Sequence, residues 1–175
     1  RCCRRQRQMC IRDSATSVET DELIERTMRA CADLLGCQNH KEIVFGQNMT
    51  SLTIQLANAL SRTWGPDDEV VVTRSDHDAN VRPWVLAAKW SGAKIRWIEI
   101  NHNDCTHNID SIEEKINKNT VLVAIGAASN FSGTINDVKG ICSKAKAVGA
   151  EVFVDAVNFA PHSLIDVIEL GCDYL

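Results

Sequence analysis

Two side chains in this sequence could act together on a charged ring: the carboxylate of Asp155 and the imidazole of His77. Asp155 ends the apolar segment Glu151–Asp155, and His77 follows the apolar segment Glu69–Thr73. A carboxylate can keep a heteroaromatic ring nitrogen protonated, and an imidazole can stack on such a ring and transfer protons. Each residue also has another interpretation. An Asp at a strand end is common in phosphate, metal and nucleotide sites and can simply cap the backbone. A lone His in a loop is more often a solvated surface residue.

Two polar segments could complete such a site. The run Asn48-Met49-Thr50-Ser51 stands where a strand is expected to turn into a helix, so free N–H groups and the positive end of the helix dipole could bind a phosphate there. Asn130 follows another apolar segment. Asn48 as a simple N-cap and Asn130 as part of a polar turn remain alternatives. Polar groups after successive strands nevertheless favour one shared cleft.

An alternation of strands and helices must position these groups. The predicted helices are Ser17–Cys37, Thr50–Trp64, Asn80–Ser91, Asp110–Asn117 (opened by a capping box), Asn136–Val148 (capped by Asn136) and Leu164–Leu170. The predicted strands are Glu42–Phe45, Glu69–Thr73, Lys94–Ile100, Thr120–Gly126 and Glu151–Asp155, with the beginning of another at Asp173–Leu175.

This alternation predicts an α/β fold, a three-layer domain with a mostly parallel sheet and helices on both faces. Ligands of such sheets bind beyond the carboxyl ends of the strands, where the candidate residues stand. A nicotinamide-dependent dehydrogenase would use a similar sheet, but the turn Gly46–Ser51 lacks the G-x-G-x-x-G pattern that it needs. A non-catalytic α/β module that binds a partner or a phosphate ligand is a further alternative.

The composition is that of a globular domain, with 45% hydrophobic and 24% charged residues among 175. There is no apolar run of about 18 or more residues and no secretory signal, so we expect a cytoplasmic protein without a membrane partner. The eight cysteines are scattered and form no CxxC pair. They predict reduced, mostly buried thiols rather than a disulfide framework or a metal site.

The first fourteen residues, RCCRRQRQMCIRDS, differ from the rest, with five Arg, one Asp and neither helical nor strand periodicity. The stretch from Arg4 to Ser14 can be encoded by DNA that resembles a transposase adapter used in sequencing libraries. We therefore interpret residues 1–14 as a non-native, disordered segment, with a genuine basic tail as the alternative. Without them the formal net charge changes from −4 to −8, which argues against nucleic acid or an anionic membrane as partner.

Four blocks of the sequence, in order, resemble the cysteine desulfurase group of class V aminotransferases, fold type I enzymes that depend on pyridoxal 5′-phosphate (PLP). The blocks are IVFGQNMTSLTIQLANAL, DEVVVTRSDHDANVRPWVLAAKWSGAKIRWIEI, AASNFSGTIND and VFVDAVNFAPHSLIDVIELGCDYL. The resemblance spans about residues 20 to 175. It implies that residues 15–175 are an incomplete PLP-binding large domain, and that the intact parent is a homodimeric enzyme acting on a small amino acid.

The resemblance also implies roles for individual residues. His77 would stack on the PLP ring and Asp155 would pair with its pyridine nitrogen, so these would be the two catalytic residues. Asn130 would lie beside the ring oxygen or the substrate, and the Met49-Thr50 turn would form part of the phosphate cradle.

Two positions depart from the family pattern. The phosphate turn usually reads Gly-Thr-Thr and here reads Asn48-Met49-Thr50, so a thioether replaces one hydroxyl donor. Asn158 stands where a longer Gln or His usually contacts the ring oxygen. Both departures concern cofactor-binding positions.

In the family, the Schiff-base lysine lies in a Ser-x-His/Tyr-Lys context beyond the Asp-Tyr/Phe-Leu segment, which is the last segment of this sequence. The lysines present, none of which has that context, are Lys41, Lys89, Lys94, Lys115, Lys118, Lys139, Lys144 and Lys146. We therefore expect the chain as given to be inactive, with the persulfide-forming cysteine and the substrate-binding arginine also in later segments. The intact parent would remove sulfur from cysteine to give alanine, with selenocysteine lyase, epimerase or transaminase activity as alternatives.

Overall fold

The computed structural model describes residues 15–175, so the interpretation of residues 1–14 concerns a segment outside the described residues. The chain divides into two compact units, one ending at Phe45 and one spanning Gly46–Leu175. Among the helices of the described range, none combines the length and the hydrophobicity that a membrane span requires.

The first unit contains helix α1 (Ala15–Leu35) and a 3-10 turn at His40–Glu42. The predicted strand Glu42–Phe45 is wrong. The N–H of Glu42 donates to the Asn39 carbonyl at 3.0 Å, and the N–H of Ile43 donates to the His40 carbonyl at 3.2 Å. These bonds close a turn, and the extended residues after it pair with no strand of the described chain.

The second unit is built on a four-stranded sheet in which every neighbouring pair is parallel. Its strands are β1 (Glu69–Thr73), β2 (Lys94–Ile98), β3 (Thr120–Gly126) and β4 (Glu151–Asp155). Its helices are α2 (Met49–Leu60), α3 (Arg82–Ser91), α4 (Ile109–Lys115), α5 (Val138–Ala147) and α6 (Val167–Leu170), with 3-10 turns at Ser61–Thr63 and Asp78–Asn80. The predicted α/β class with a mostly parallel sheet is confirmed.

Two predicted helix caps are wrong by one or two residues. Helix α4 is capped by Asn108, whose Oδ1 accepts the Ser111 N–H at 2.8 Å, and not by Asp110. Helix α5 is capped by Asp137, whose Oδ1 accepts the Gly140 N–H at 2.9 Å. The Asn136 side chain is not available as a cap, because it donates to the Gly126 carbonyl at 2.8 Å.

Both faces of the sheet are buried, as an apolar parallel sheet requires. On one face, residues of α2 and α3 pack on β1, β3 and β4 in a cluster of Ala57, Val70, Val72, Trp84, Ala87, Ala88, Leu122, Ala124 and Phe153. The rings of Trp84 and Phe153 meet edge to face at 5.1 Å. Val71, Val123 and Val152 alternate with these residues and are also fully buried, and α5 contacts β3 and β4.

The strand order is β2-β1-β3-β4, so the chain leaves β1 toward β2 on one side and returns to its other side as β3. The carboxyl ends of β1 and β3 therefore flank a topological switch point, the place where open parallel sheets bind ligands. Beyond β4, Tyr174 pairs with Phe153 in a parallel bridge, in line with the predicted beginning of another strand.

The five cysteines of residues 15–175 are all free thiols. Cys142 is buried, whereas Cys31, Cys37, Cys105 and Cys172 are partly exposed. The prediction that most cysteines are buried is therefore wrong for this part of the chain, because four of its five cysteines are partly exposed.

Candidate active site

Asp155 is the last residue of β4 and is partly buried. Phe153, two residues earlier, packs against Trp84, so Asp155 points to the sheet face that α2 and α3 cover. Its Oδ1 accepts the Val157 N–H at 2.9 Å, and its second carboxylate oxygen accepts no hydrogen bond from residues 15–175. One oxygen therefore fixes the side chain and the other is available to a ligand.

His77 lies in the loop after β1, and its imidazole is exposed. Its Nδ1 accepts the Ala79 N–H at 3.1 Å, which caps the 3-10 turn at Asp78–Asn80. Because Nδ1 is an acceptor, the neutral ring carries its proton on Nε2. The Nδ1 atom of His77 is thus held by a backbone N–H, and the Nε2–H lies on the opposite side of the ring.

The N-terminus of α2 has an ordinary cap. Asn48 Oδ1 accepts the Ser51 N–H at 2.9 Å and the Ser51 hydroxyl at 3.1 Å. The N–H groups of Met49 and Thr50 find no partner within the described range, as expected at the start of a helix. The Met49 side chain packs against the hydrophobic cluster, so its thioether does not replace the missing hydroxyl at the helix end.

The remaining two predicted residues share a separate cavity. Asn130, in the loop after β3, and Asn158, in the turns after β4, line one cavity with Phe131, Phe159 and His162. His77 and Thr50 line another cavity. The structure thus brings four of the predicted residues together in two pairs, and Asn48, Met49 and Asp155 line neither cavity.

Asp76 is a polar residue at this edge that the sequence analysis did not include. Its two carboxylate oxygens each lie 2.9 Å from the Gly126 nitrogen, and Oδ2 also accepts a hydrogen bond from the Asn80 amide at 2.9 Å. Asn80 Oδ1 in turn accepts the Trp84 indole N–H at 3.0 Å. The four-residue spacing of Asp76, Asn80 and Trp84 was the signal that could have identified this network.

The charges of the site influence one another. Burial raises the pKa of Asp76 from 3.8 to about 6, the Gly126 N–H acts in the opposite direction, and the negative charge of Asp155 adds to the rise. A bound positive charge near Asp76 would act against this rise.

His107 is a second buried titratable group near this edge. Burial lowers the pKa of His107 to about 4, so the ring is neutral at physiological pH. Its Nε2 lies 2.8 Å from Ser75 Oγ, and its Nδ1 is buried without a hydrogen-bond partner. This contact joins the loop after β1 to the loop after β2.

These residues fit PLP in three respects. The open Asp155 oxygen can accept a hydrogen bond from a protonated ring nitrogen, the exposed His77 imidazole can stack on a ring, and the free N–H groups at the start of α2 suit a phosphate. Asn130 and Thr50 line different cavities.

Comparison with known proteins identifies the family. The sequence model of the family described as Aminotransferase class-V matches residues 9–175. The probable cysteine desulfurase of Halalkalibacterium halodurans is 39% identical over 135 residues, which cover 77% of this chain and 33% of that protein.

Solved structures agree with the sequence comparison. The cysteine desulfurase CsdA from Escherichia coli superposes with a TM-score of 0.82 at 27% identity, over 92% of this chain and 40% of its own. The apo cysteine desulfurase from Thermococcus onnurineus NA1 gives a TM-score of 0.85 at 27% identity, over 96% of this chain and 43% of its own. This chain therefore spans only 33% to 43% of the length of these relatives. Because the family model matches almost the whole sequence, the chain belongs to the class-V aminotransferase family.

Proposed function

We propose that the protein containing this chain is a PLP-dependent cysteine desulfurase, which removes sulfur from cysteine and leaves alanine. The observation that carries the proposal is the position of Asp155 and His77 at the carboxyl ends of β4 and β1, beside the switch point of a parallel sheet. Bound PLP would supply an electron sink for negative charge at the substrate α-carbon.

Asp155 would keep the ring nitrogen protonated through the oxygen that no other described residue occupies. A charge-assisted hydrogen bond of this kind is stronger than a neutral one. His77 would cover one face of the ring, and its Nε2–H would be available for proton transfer because Nδ1 is engaged by Ala79.

The phosphate would bind at the start of α2, to the N–H groups of Met49 and Thr50 and to the Thr50 hydroxyl, with Asn48 ordering the turn. Asn130 and Asn158 would contact the ring oxygen or the substrate from the neighbouring cavity. The side chain of Met49 would contribute packing only, since it faces the hydrophobic cluster.

We further propose that the Schiff-base lysine, the persulfide-forming cysteine and the arginine that binds the substrate carboxylate come from segments outside this sequence. The coverage of 33% to 43% of the relatives named above supports this division. The chain alone would then bind the cofactor without completing the reaction.

The protein is also proposed to be a cytoplasmic homodimer. Free thiols at all five described cysteines suit a reducing compartment. Large exposed apolar side chains, including Phe131 at 94% and Leu164 at 92% exposure, suit a covered surface in the intact protein.

A chimera tests the proposed activity. Residues 15–175 replace the superposed segment of the E. coli cysteine desulfurase CsdA, and alanine and sulfide are measured after addition of cysteine and a thiol reductant. We expect equal amounts of both products, and we expect Asp155→Ala to lower turnover by about 10- to 100-fold, since a hydrogen bond to a charged group contributes about 1.5–3 kcal/mol.

Circular dichroism and PLP content identify a chimera that has not folded. A folded chimera with bound PLP that forms no alanine from cysteine would contradict the desulfurase assignment. If such a chimera instead transfers the amino group of an amino acid to a keto acid, the transaminase alternative is correct.

A further inference from the structure

Asp76 occupies the switch point itself, between the loop that carries His77 and the end of β3. It follows β1 by three residues and precedes His77 directly. Its carboxylate accepts the N–H of Gly126, the last residue of β3, through both oxygens at 2.9 Å. The side chain therefore joins two elements that flank the candidate site.

A second set of bonds fixes the same carboxylate from the other side. Asn80 donates to Asp76 Oδ2 at 2.9 Å and accepts the Trp84 N–H at 3.0 Å, and both Asn80 and Trp84 are completely buried. Buried polar groups that satisfy one another in this way hold a single geometry, because any displacement leaves a donor without an acceptor. His77 lies between the two anchored positions, Asp76 and Asn80.

Gly126 provides the space that this arrangement needs. A Cβ atom at position 126 would lie 2.7 Å from Asp76 Oδ1, inside van der Waals contact. The end of β3 therefore has a glycine where a side chain would displace the carboxylate. Gly126 is also the register partner of Asp155, so the anchored point lies next to the other candidate catalytic residue.

We propose that Asp76 is a positioning residue for His77: it fixes the loop after β1 to the end of β3 and so holds the imidazole at the edge that carries Asp155. The consequence for a stacked ring rests on the proposed function, whereas the fixing of the loop does not. A carboxylate suits this role better than an amide, because it offers only acceptors to the N–H groups of Gly126 and Asn80.

Hydrogen exchange of the full chain tests the proposal without any cofactor. The N–H groups of Asn80 and Val81 donate to the carbonyls of His77 and Asp78, so their protection reports the order of the loop. In Asp76→Ala we expect their exchange to accelerate by about tenfold or more, because local opening costs less free energy. The 15N spectrum of the His77 imidazole should change from a protonated Nε2 to a mixture of tautomers, since Nδ1 loses its fixed donor.

Asp104→Ala is the matched control. Asp104 is also a loop carboxylate that accepts a backbone N–H, from Thr106 at 2.9 Å, but it is exposed. We expect this variant to leave the exchange of Asn80 and Val81 and the His77 spectrum unchanged.

The double variant Asp76→Asn/Asn80→Asp exchanges the two side chains and tests whether the lost hydrogen bonds can be restored. It keeps an acceptor for Gly126, a donor between the two positions and an acceptor for Trp84, so it should restore protection where Asp76→Ala loses it. Should Asp76→Ala fail to fold, the single variant Asp76→Asn replaces it in the comparison with the double variant. We expect the N–H groups of Asn80 and Val81 to exchange faster in this single variant than in the wild type. Unchanged exchange and an unchanged His77 spectrum in a folded Asp76 variant would overturn the proposal, whether or not the chain supports desulfurase activity.

Discussion

Gly126 and Asp155 are the last register partners of β3 and β4, and the N–H of Gly126 is held by the carboxylate of Asp76. Position 126 is therefore tied to both acidic residues: Asp155 is its register partner on the neighbouring strand, and the Asp76 carboxylate, from the loop that carries His77, accepts its N–H. The Asp76 carboxylate leaves no room for a Cβ atom at position 126. The negative charge of Asp155 adds to the rise in the pKa of Asp76 that burial causes.

Gly126→Ala should destabilise the fold by about 1–3 kcal/mol, the usual cost of inserting an atom into a packed site. The new Cβ would lie 2.7 Å from Asp76 Oδ1 and would force the carboxylate away from the Gly126 N–H. Urea unfolding of the chain measures the difference.

Gly65→Ala is the control for this substitution, because a Cβ there meets only the Asp68 carboxylate at 4.0 Å. In an Asp76→Ala background the cost of Gly126→Ala should fall by about 1 kcal/mol or more, as expected for two groups in contact. An equal cost in both backgrounds would mean that the two positions are not coupled.

The free energy of unfolding should decrease as pH rises through the titration range of Asp76. Because burial raises the pKa of Asp76 from 3.8 to about 6, only the folded chain holds this proton between these values. The ionised carboxylate therefore destabilises the fold above about pH 6, by about 3 kcal/mol at most for a shift of this size. Asp76→Asn cannot ionise, so its stability relative to the wild type should improve between about pH 4 and about pH 7.

Asp104→Asn provides a control of opposite sign. The Thr106 N–H and hydroxyl hold the pKa of Asp104 below its ordinary value, so its ionised form favours the folded chain. The stability of this variant relative to the wild type should therefore decline as pH rises through the acidic range. If both variants respond to pH in the same direction, the assignment of the Asp76 shift to burial is wrong.

His107 should make the chain sensitive to acid. Burial lowers the pKa of His107 from 6.5 to about 4, so between these values only the unfolded chain takes up the proton. The contribution to stability is complete above about pH 6.5 and is lost as pH falls toward 4, amounting to about 3 kcal/mol. His107→Gln should flatten this part of the pH profile of urea unfolding.

Ser75→Ala separates burial from hydrogen bonding at His107. It removes the hydroxyl that lies 2.8 Å from His107 Nε2 and leaves the imidazole buried. The acid sensitivity should persist in this variant, since burial is its cause. A profile as flat as that of His107→Gln would indicate that the hydroxyl contact keeps the ring neutral.

Much of this fold is readable from the sequence because the sheet is parallel and buried on both faces. β1, β3 and β4 are continuous apolar runs, and their predicted bounds agree with the structure residue by residue. The segment Glu42–Phe45 has a similar composition, but only Glu42 lies in a 3-10 turn and the extended residues after it pair with no described strand. A strand depends on a partner that lies elsewhere in the chain. The predicted cap Asn136 is not the cap of α5, because its side chain donates to the Gly126 carbonyl instead.

Fewer features of the candidate site than of the fold could be predicted from the sequence. Position after a strand identified Asp155, His77 and Asn130, since the carboxyl ends of parallel strands meet at one edge. Asp76 was not identified, because its role depends on contact with Gly126, 50 residues away, and on the absence of a side chain there. Asn48 turned out to cap α2, a role that the sequence leaves equally open.

The chain should bind PLP without forming a covalent link to it. Its lysines lack the expected context for the Schiff-base residue, whereas Asp155 and the start of α2 present an open carboxylate oxygen and free N–H groups. Equilibrium dialysis should therefore detect PLP binding that Asp155→Ala weakens by about 10- to 100-fold, corresponding to the loss of one charge-assisted hydrogen bond. Borohydride reduction followed by peptide mass analysis should find no lysine modified in stoichiometric yield. A long-wavelength absorbance band that survives dialysis, depends on one lysine and disappears in Asp155→Ala would show that the chain itself supplies the Schiff-base residue.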